Sequence, residues 1–66
     1  MKAENFGINL RQAMHELGLN QSELALRTKL TPAAVSQILS GERTPSLTTV
    51  VKIMRVIPIK FERLVR

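Results

Sequence analysis

The chemistry available to this sequence is that of many cations beside one neutral run. The run Thr31-Pro32-Ala33-Ala34-Val35-Ser36-Gln37-Ile38-Leu39-Ser40 holds no charged residue, whereas the 66-residue chain carries ten Lys and Arg against five Asp and Glu, a net charge of +5. Cations neutralise phosphates from any position along a polyanion. Amides and hydroxyls instead distinguish patterns of donors and acceptors, which charge cannot do. A basic chain with a neutral outward helix face therefore suggests two kinds of contact with one partner. Catalysis has no comparable support: there are no paired carboxylates, no nucleophile beside a base and no phosphate-cradling glycine loop. Enzymatic activity is not expected. His15 is the one histidine and there is no cysteine, so neither a metal or cofactor site nor a disulfide is expected.

The pI near 10.9 points to a polyanionic partner. Composition alone does not separate DNA from RNA or an anionic membrane. The 44% apolar content is that of a globular chain, and no run approaches the length of a spanning helix. Without a signal-peptide hydrophobic region the expected location is cytoplasmic. Residues 1–66 read as one domain, near the lower size limit for a single core, and a core this small without staples often continues across a dimer interface.

The elements that must position the neutral run read as five short helices, an all-α fold. Phe6, Leu10, Ala13, Met14 and Leu17 fall on one face of a first helix from about Asn5 to Leu17, which Gly18 ends. Asn20 and Glu23 form a capping-box variant opening a second helix that ends near Thr28. Thr31 caps a third helix with Pro32 in its first position, and Gly41 stops it. Ser46 caps a fourth, whose Leu47, Val50, Val51, Ile53, Met54 and Ile57 form a broad apolar stripe ended by Pro58. Ile59 to Arg66 can form a terminal helix. Ala25, Val35, Ile38, Leu47, Val51 and Ile53 are expected in the core.

Two short helices joined by a tight turn make a helix-turn-helix arrangement. From about Leu17 to Leu64 the chain resembles the lambda-repressor-like (Xre/Cro) helix-turn-helix family. The carrying stretches are LGLNQSELA (Leu17 to Ala25), LTPAAVSQI (Leu30 to Ile38), SGERTPSL (Ser40 to Leu47) and VVKIMRVI (Val50 to Ile57). Three departures stand out. Lys29 occupies the turn position where the family favours Gly. Met14 and Leu39 replace an Arg–Glu pair found in many members, so their contact is expected to be apolar. Pro58 and Lys60 stand where Gly and a capping Ser or Thr usually separate the last two helices.

The resemblance implies a five-helix, sequence-specific DNA-binding domain. It places Gln37, Ala33, Ser36 and Pro32, with Thr31 at the margin, against base edges in the major groove. Gln37 suits adenine N6 and N7, while Ala33 and the Pro32 ring suit thymine methyl groups. Gln21, at the start of the second helix, should sit on a phosphate, with Arg43, Lys29 and Arg27 as further phosphate contacts. The implied protein is a Cro-like repressor, binding a pseudo-palindromic double-stranded operator as a homodimer through Ile57, Pro58, Ile59, Phe61 and Val65. A DNA-binding antitoxin that also grips a small protein partner is the alternative. A membrane-surface role for VVKIMRVIPIKFERLVR is disfavoured because Pro58 interrupts the segment, and no membrane partner is expected.

Overall fold

The computed structural model describes residues 2–66. Five helices follow in order: α1 (Ala3–Leu17), α2 (Gln21–Thr28), α3 (Pro32–Ser40), α4 (Leu47–Val56) and α5 (Phe61–Val65). No strand forms among the described residues. The helix ends follow local chemistry. Asn20 Oδ1 accepts from the Glu23 amide at 2.8 Å, and Glu23 Oε1 accepts from the Asn20 amide at 3.2 Å, completing the capping box. Thr31 Oγ1 accepts from the Ala34 amide at 3.1 Å, and Ser46 Oγ from the Thr49 amide at 3.2 Å. Gly18 (φ 69°) and Gly41 (φ 82°) close α1 and α3 in the left-handed region.

α1 packs against α3 and α5, while α2 packs against α3 and α4. One core joins them: Phe6, Leu10, Ala13 and Met14 of α1 meet Leu24 and Ala25, Val35, Ile38 and Leu39, Val50, Ile53 and Ile57, and Leu64. At roughly 1.5–3 kcal/mol for each large apolar side chain buried, this cluster supplies the main driving force. Gly7 sets the α1–α3 approach. A Cβ there would lie 2.5 Å from the Leu39 carbonyl oxygen and 2.7 Å from that of Ile38. Only the absent side chain lets the first half of α1 cross the end of α3 so closely.

Several expectations need correction. α1 begins at Ala3 rather than near Asn5, with the Phe6 amide donating to the Lys2 carbonyl. Leu17, Leu47 and Val51 are not core residues: they are 45%, 77% and 40% exposed. The apolar stripe of α4 is wider than the strip its neighbours cover, so only Val50, Ile53 and the following Ile57 are buried, with Met54 and Val56 partly covered. Ile57 is fully buried in the protomer's own core. It therefore has no free surface to give a second subunit, which removes it from the expected dimer contacts. The residue before a proline is pushed toward extended backbone; Ile57 is extended accordingly, and α4 stops at Val56.

The last helix is short, and Lys60 provides no side-chain cap. Its hold on the body comes from Leu64, which is fully buried, and from polar ties to α1. Asn9 Nδ2 donates to the Leu64 carbonyl at 3.0 Å and to that of Arg66 at 3.4 Å. Arg63 pairs with Glu16 across the same seam. The Arg63 hydrogen bond and charge hold the Glu16 carboxyl below its ordinary pKa.

Candidate nucleic-acid interface

The neutral run becomes a helix with two unlike faces. Ala34, Val35, Ile38 and Leu39 turn inward and are buried, whereas Thr31, Pro32, Ala33, Ser36, Gln37 and Ser40 are exposed. Helical spacing places Ala33, Ser36, Gln37 and Ser40 on one outer strip. All five residues expected to reach base edges therefore lie on the open side of α3. The Gln37 backbone also anchors the loop that follows. Its carbonyl accepts from the Arg43 amide at 3.2 Å and from Ser40 Oγ at 3.1 Å. Arg43 is exposed, so a cation is held just beyond the C-terminal end of this strip.

At the other end of α3, Lys29 adopts φ 61°, the one positive φ of a non-glycine residue among those described. Its amide donates to the Leu26 carbonyl at 3.4 Å, and the Leu30 amide donates to that of Ala25 at 3.1 Å. That crossed pair closes α2 in a Schellman turn, which normally uses Gly. A lysine here costs on the order of 1 kcal/mol relative to glycine. The sequence marked this residue as standing where the family favours Gly, and the positive φ gives the reason. Sequence reasoning missed Thr28, which is 3% exposed and whose Oγ1 donates to the Leu24 carbonyl at 2.7 Å. A polar residue ending a helix gives little sign that it will be buried, because the hydroxyl is satisfied within its own turn.

Gln21, the first residue of α2, is exposed. The capping box engages the amides of Asn20 and Glu23, and the Leu24 amide donates to the Asn20 carbonyl at 3.0 Å. The amides of Gln21 and Ser22 lie outside that cap and are the donors an anion would meet. Beside them lies a depression of about 280 Å³ lined by Arg11, His15, Asn20 and Gln21 together with Met14 and Leu39. Met14 and Leu39 are buried in the same core, so the place where the resemblance would put an Arg–Glu pair is apolar from both sides. Arg11, from α1, is a cation at this edge that the motif did not single out. Its place beside Asn20, Gln21 and Leu39 depends on how α1 and α2 both pack on α3, which no local spacing reveals.

Arg27 and Lys29 line a second depression, of about 240 Å³, with Thr28, Lys52, Arg55 and Val56. Of the expected dimer contacts other than Ile57, Pro58 and Phe61 are exposed, while Ile59 and Val65 are half-buried against the core. No helix among the described residues is long and apolar enough to cross a membrane.

Comparison with known proteins agrees with this geometry. The crystal structure of the restriction-modification controller protein C.AhdI from Aeromonas hydrophila superimposes with a TM-score of 0.87 at 29% identity, covering 94% of each chain. No curated protein matches the sequence significantly. The Helix-turn-helix family model matches residues 10–64, from the middle of α1 to the end of α5. A capped α2, a tight turn and an α3 with one buried and one open face, inside a family match spanning most of the chain, identify the protein as a member of the lambda-repressor-like (Xre/Cro) helix-turn-helix family of DNA-binding transcriptional regulators.

Proposed function

We propose that the protein is a sequence-specific transcriptional regulator that binds a pseudo-palindromic operator as a homodimer. The observation that carries this reading is the outer strip of α3: Pro32, Ala33, Ser36 and Gln37 are exposed, uncharged and flanked by cations at both ends. Gln37 takes the role of adenine reader, Ala33 and Pro32 pack on thymine methyl groups, and Ser36 and Thr31 assist at the margin. Gln21 with the first-turn amides of α2, Arg43, Lys29 and Arg27 hold phosphates. Two recognition helices about 34 Å apart would then reach one face of the duplex.

Dimerisation would use Pro58, Ile59, Phe61 and Val65 of the α4–α5 corner. Phe61 is 43% exposed, and Val51 adds apolar surface on α4 at 40% exposure. Bound in this way the regulator represses by occluding promoter DNA, as a Cro-type protein does. The likeness to a restriction-modification controller favours a second reading, in which the regulated genes are those of a restriction-modification system. Both readings share one biochemical activity, and the nature of the regulated promoter separates them. A DNA-binding antitoxin would differ by copurifying with a small protein seated on the α4–α5 corner.

Selection from random duplexes at about 150 mM salt, where non-specific attraction is weakened, tests the activity. A two-fold motif, with adenine and thymine opposite Gln37 and Ala33, is expected. Retention without a motif would refute operator reading.

A further inference from the structure

The depression between the ends of α2 and α4 is lined by four cations, Arg27, Lys29, Lys52 and Arg55, and no carboxylate is among its lining residues. It opens beside Lys29, two residues before the cap of α3. Arg43 stands beyond the opposite end of the same helix. The recognition helix thus has cationic ground at both ends, and a nine-residue helix spans roughly the width of a major groove. From this arrangement we infer that the Arg27–Lys29–Lys52–Arg55 groove receives backbone phosphates of operator DNA just outside the bases that α3 reads. Lys52 and Arg55 of α4 thereby join the interface. The inference rests on the operator-reading function and extends its footprint.

Two features favour phosphate over a purely structural use of the charge. Arg27 and Arg55 lie in the last turns of their helices, where a cation also complements the helix dipole. Lys52 lies before the last turn of α4, and Lys29 sits in a left-handed turn better suited to glycine. Dipole compensation does not account for Lys52, and at Lys29, the C-cap of α2, glycine would close the turn without strain. Diffuse phosphodiester charge suits four separated cations around an open groove, each acting as a point or fork of donors.

The test uses the double variant Lys52→Gln/Arg55→Gln, which spares every residue assigned to base reading. Binding is measured across a salt series on two duplexes: the selected operator with a full turn of flanking sequence, and the same operator trimmed at the outer edges of its half-sites. On the extended duplex the variant should bind more weakly, with its logarithmic salt slope flatter by about 1.8 per protomer, two lost contacts at about 0.9 each. Discrimination between operators should be unchanged, and on the trimmed duplex the two proteins should converge. Equal affinity and slope on the extended duplex would overturn the inference and leave an acidic protein surface as the better occupant. Equal losses on both duplexes would overturn the flanking position. A lowered unfolding midpoint with unchanged slopes would assign the charges to the helix ends instead. A wild type that shows no sequence preference would refute the operator-reading function itself.

Discussion

Lys29 shows how far one residue can be read from its neighbours. The turn between α2 and α3 needs a left-handed residue, and the sequence offers lysine where glycine is usual; the backbone adopts φ 61° regardless. Replacing Lys29 by Gly should raise stability by about 1 kcal/mol in urea unfolding. On the proposed function the same change should weaken DNA binding at low salt, because one of the proposed phosphate contacts is lost. Cap residues were legible for the same reason: Asn20, Thr31 and Ser46 each act on an amide three residues away. Leu47 and Val51 misled because a hydrophobic residue at helical spacing does not reveal how wide a strip its neighbours will cover. Their exposure, 77% and 40%, follows from the placement of the other helices and not from α4 itself.

At the scale of elements, the five helices were legible and their contacts were less so. The α1–α3 crossing depends on Gly7, whose importance appears only when the carbonyls of Ile38 and Leu39 are brought against it. Gly7→Ala should therefore destabilise the protein by about 1–3 kcal/mol, although alanine favours an isolated helix. Thermal and urea unfolding measure this, and an unchanged or raised midpoint would contradict the close packing. α5 is tied to α1 through a pair 47 residues apart in the chain, Glu16 and Arg63, which periodicity cannot connect. Glu16 is held below its ordinary pKa chiefly by the Arg63 hydrogen bond. The tie thus contributes fully above the usual carboxylate range and is lost as pH falls through that lowered value. Amide exchange in α5, corrected for intrinsic rates, should quicken across that acidic interval. Glu16→Gln should remove this pH dependence; if α5 protection keeps the same pH profile in the variant, the pair is not what holds it.

For the molecule as a whole, the neutrality of α3 and the basicity of the rest are two parts of one arrangement. A chain of this size has a folding free energy of roughly 3–10 kcal/mol, so it can give few residues wholly to function. The buried half of α3 anchors it to α1 and α2. The open half is free of charge, and Arg43, Lys29, Arg27 and Gln21, from the following loop, the preceding turn and α2, are exposed as well. On the proposed function, the cations attract any duplex and the uncharged groups of α3 choose among sequences. The most direct measurement is the affinity of wild type, Gln37→Ala and Arg43→Ala for a panel of operators carrying every single-base substitution. Gln37→Ala should lose about 1–3 kcal/mol of discrimination at one symmetric pair of positions and keep it elsewhere, while Arg43→Ala should weaken all operators alike and reduce the salt slope by about 1 per protomer. If Gln37→Ala instead weakened every operator equally and left the base preferences intact, α3 would not be the surface that reads the sequence.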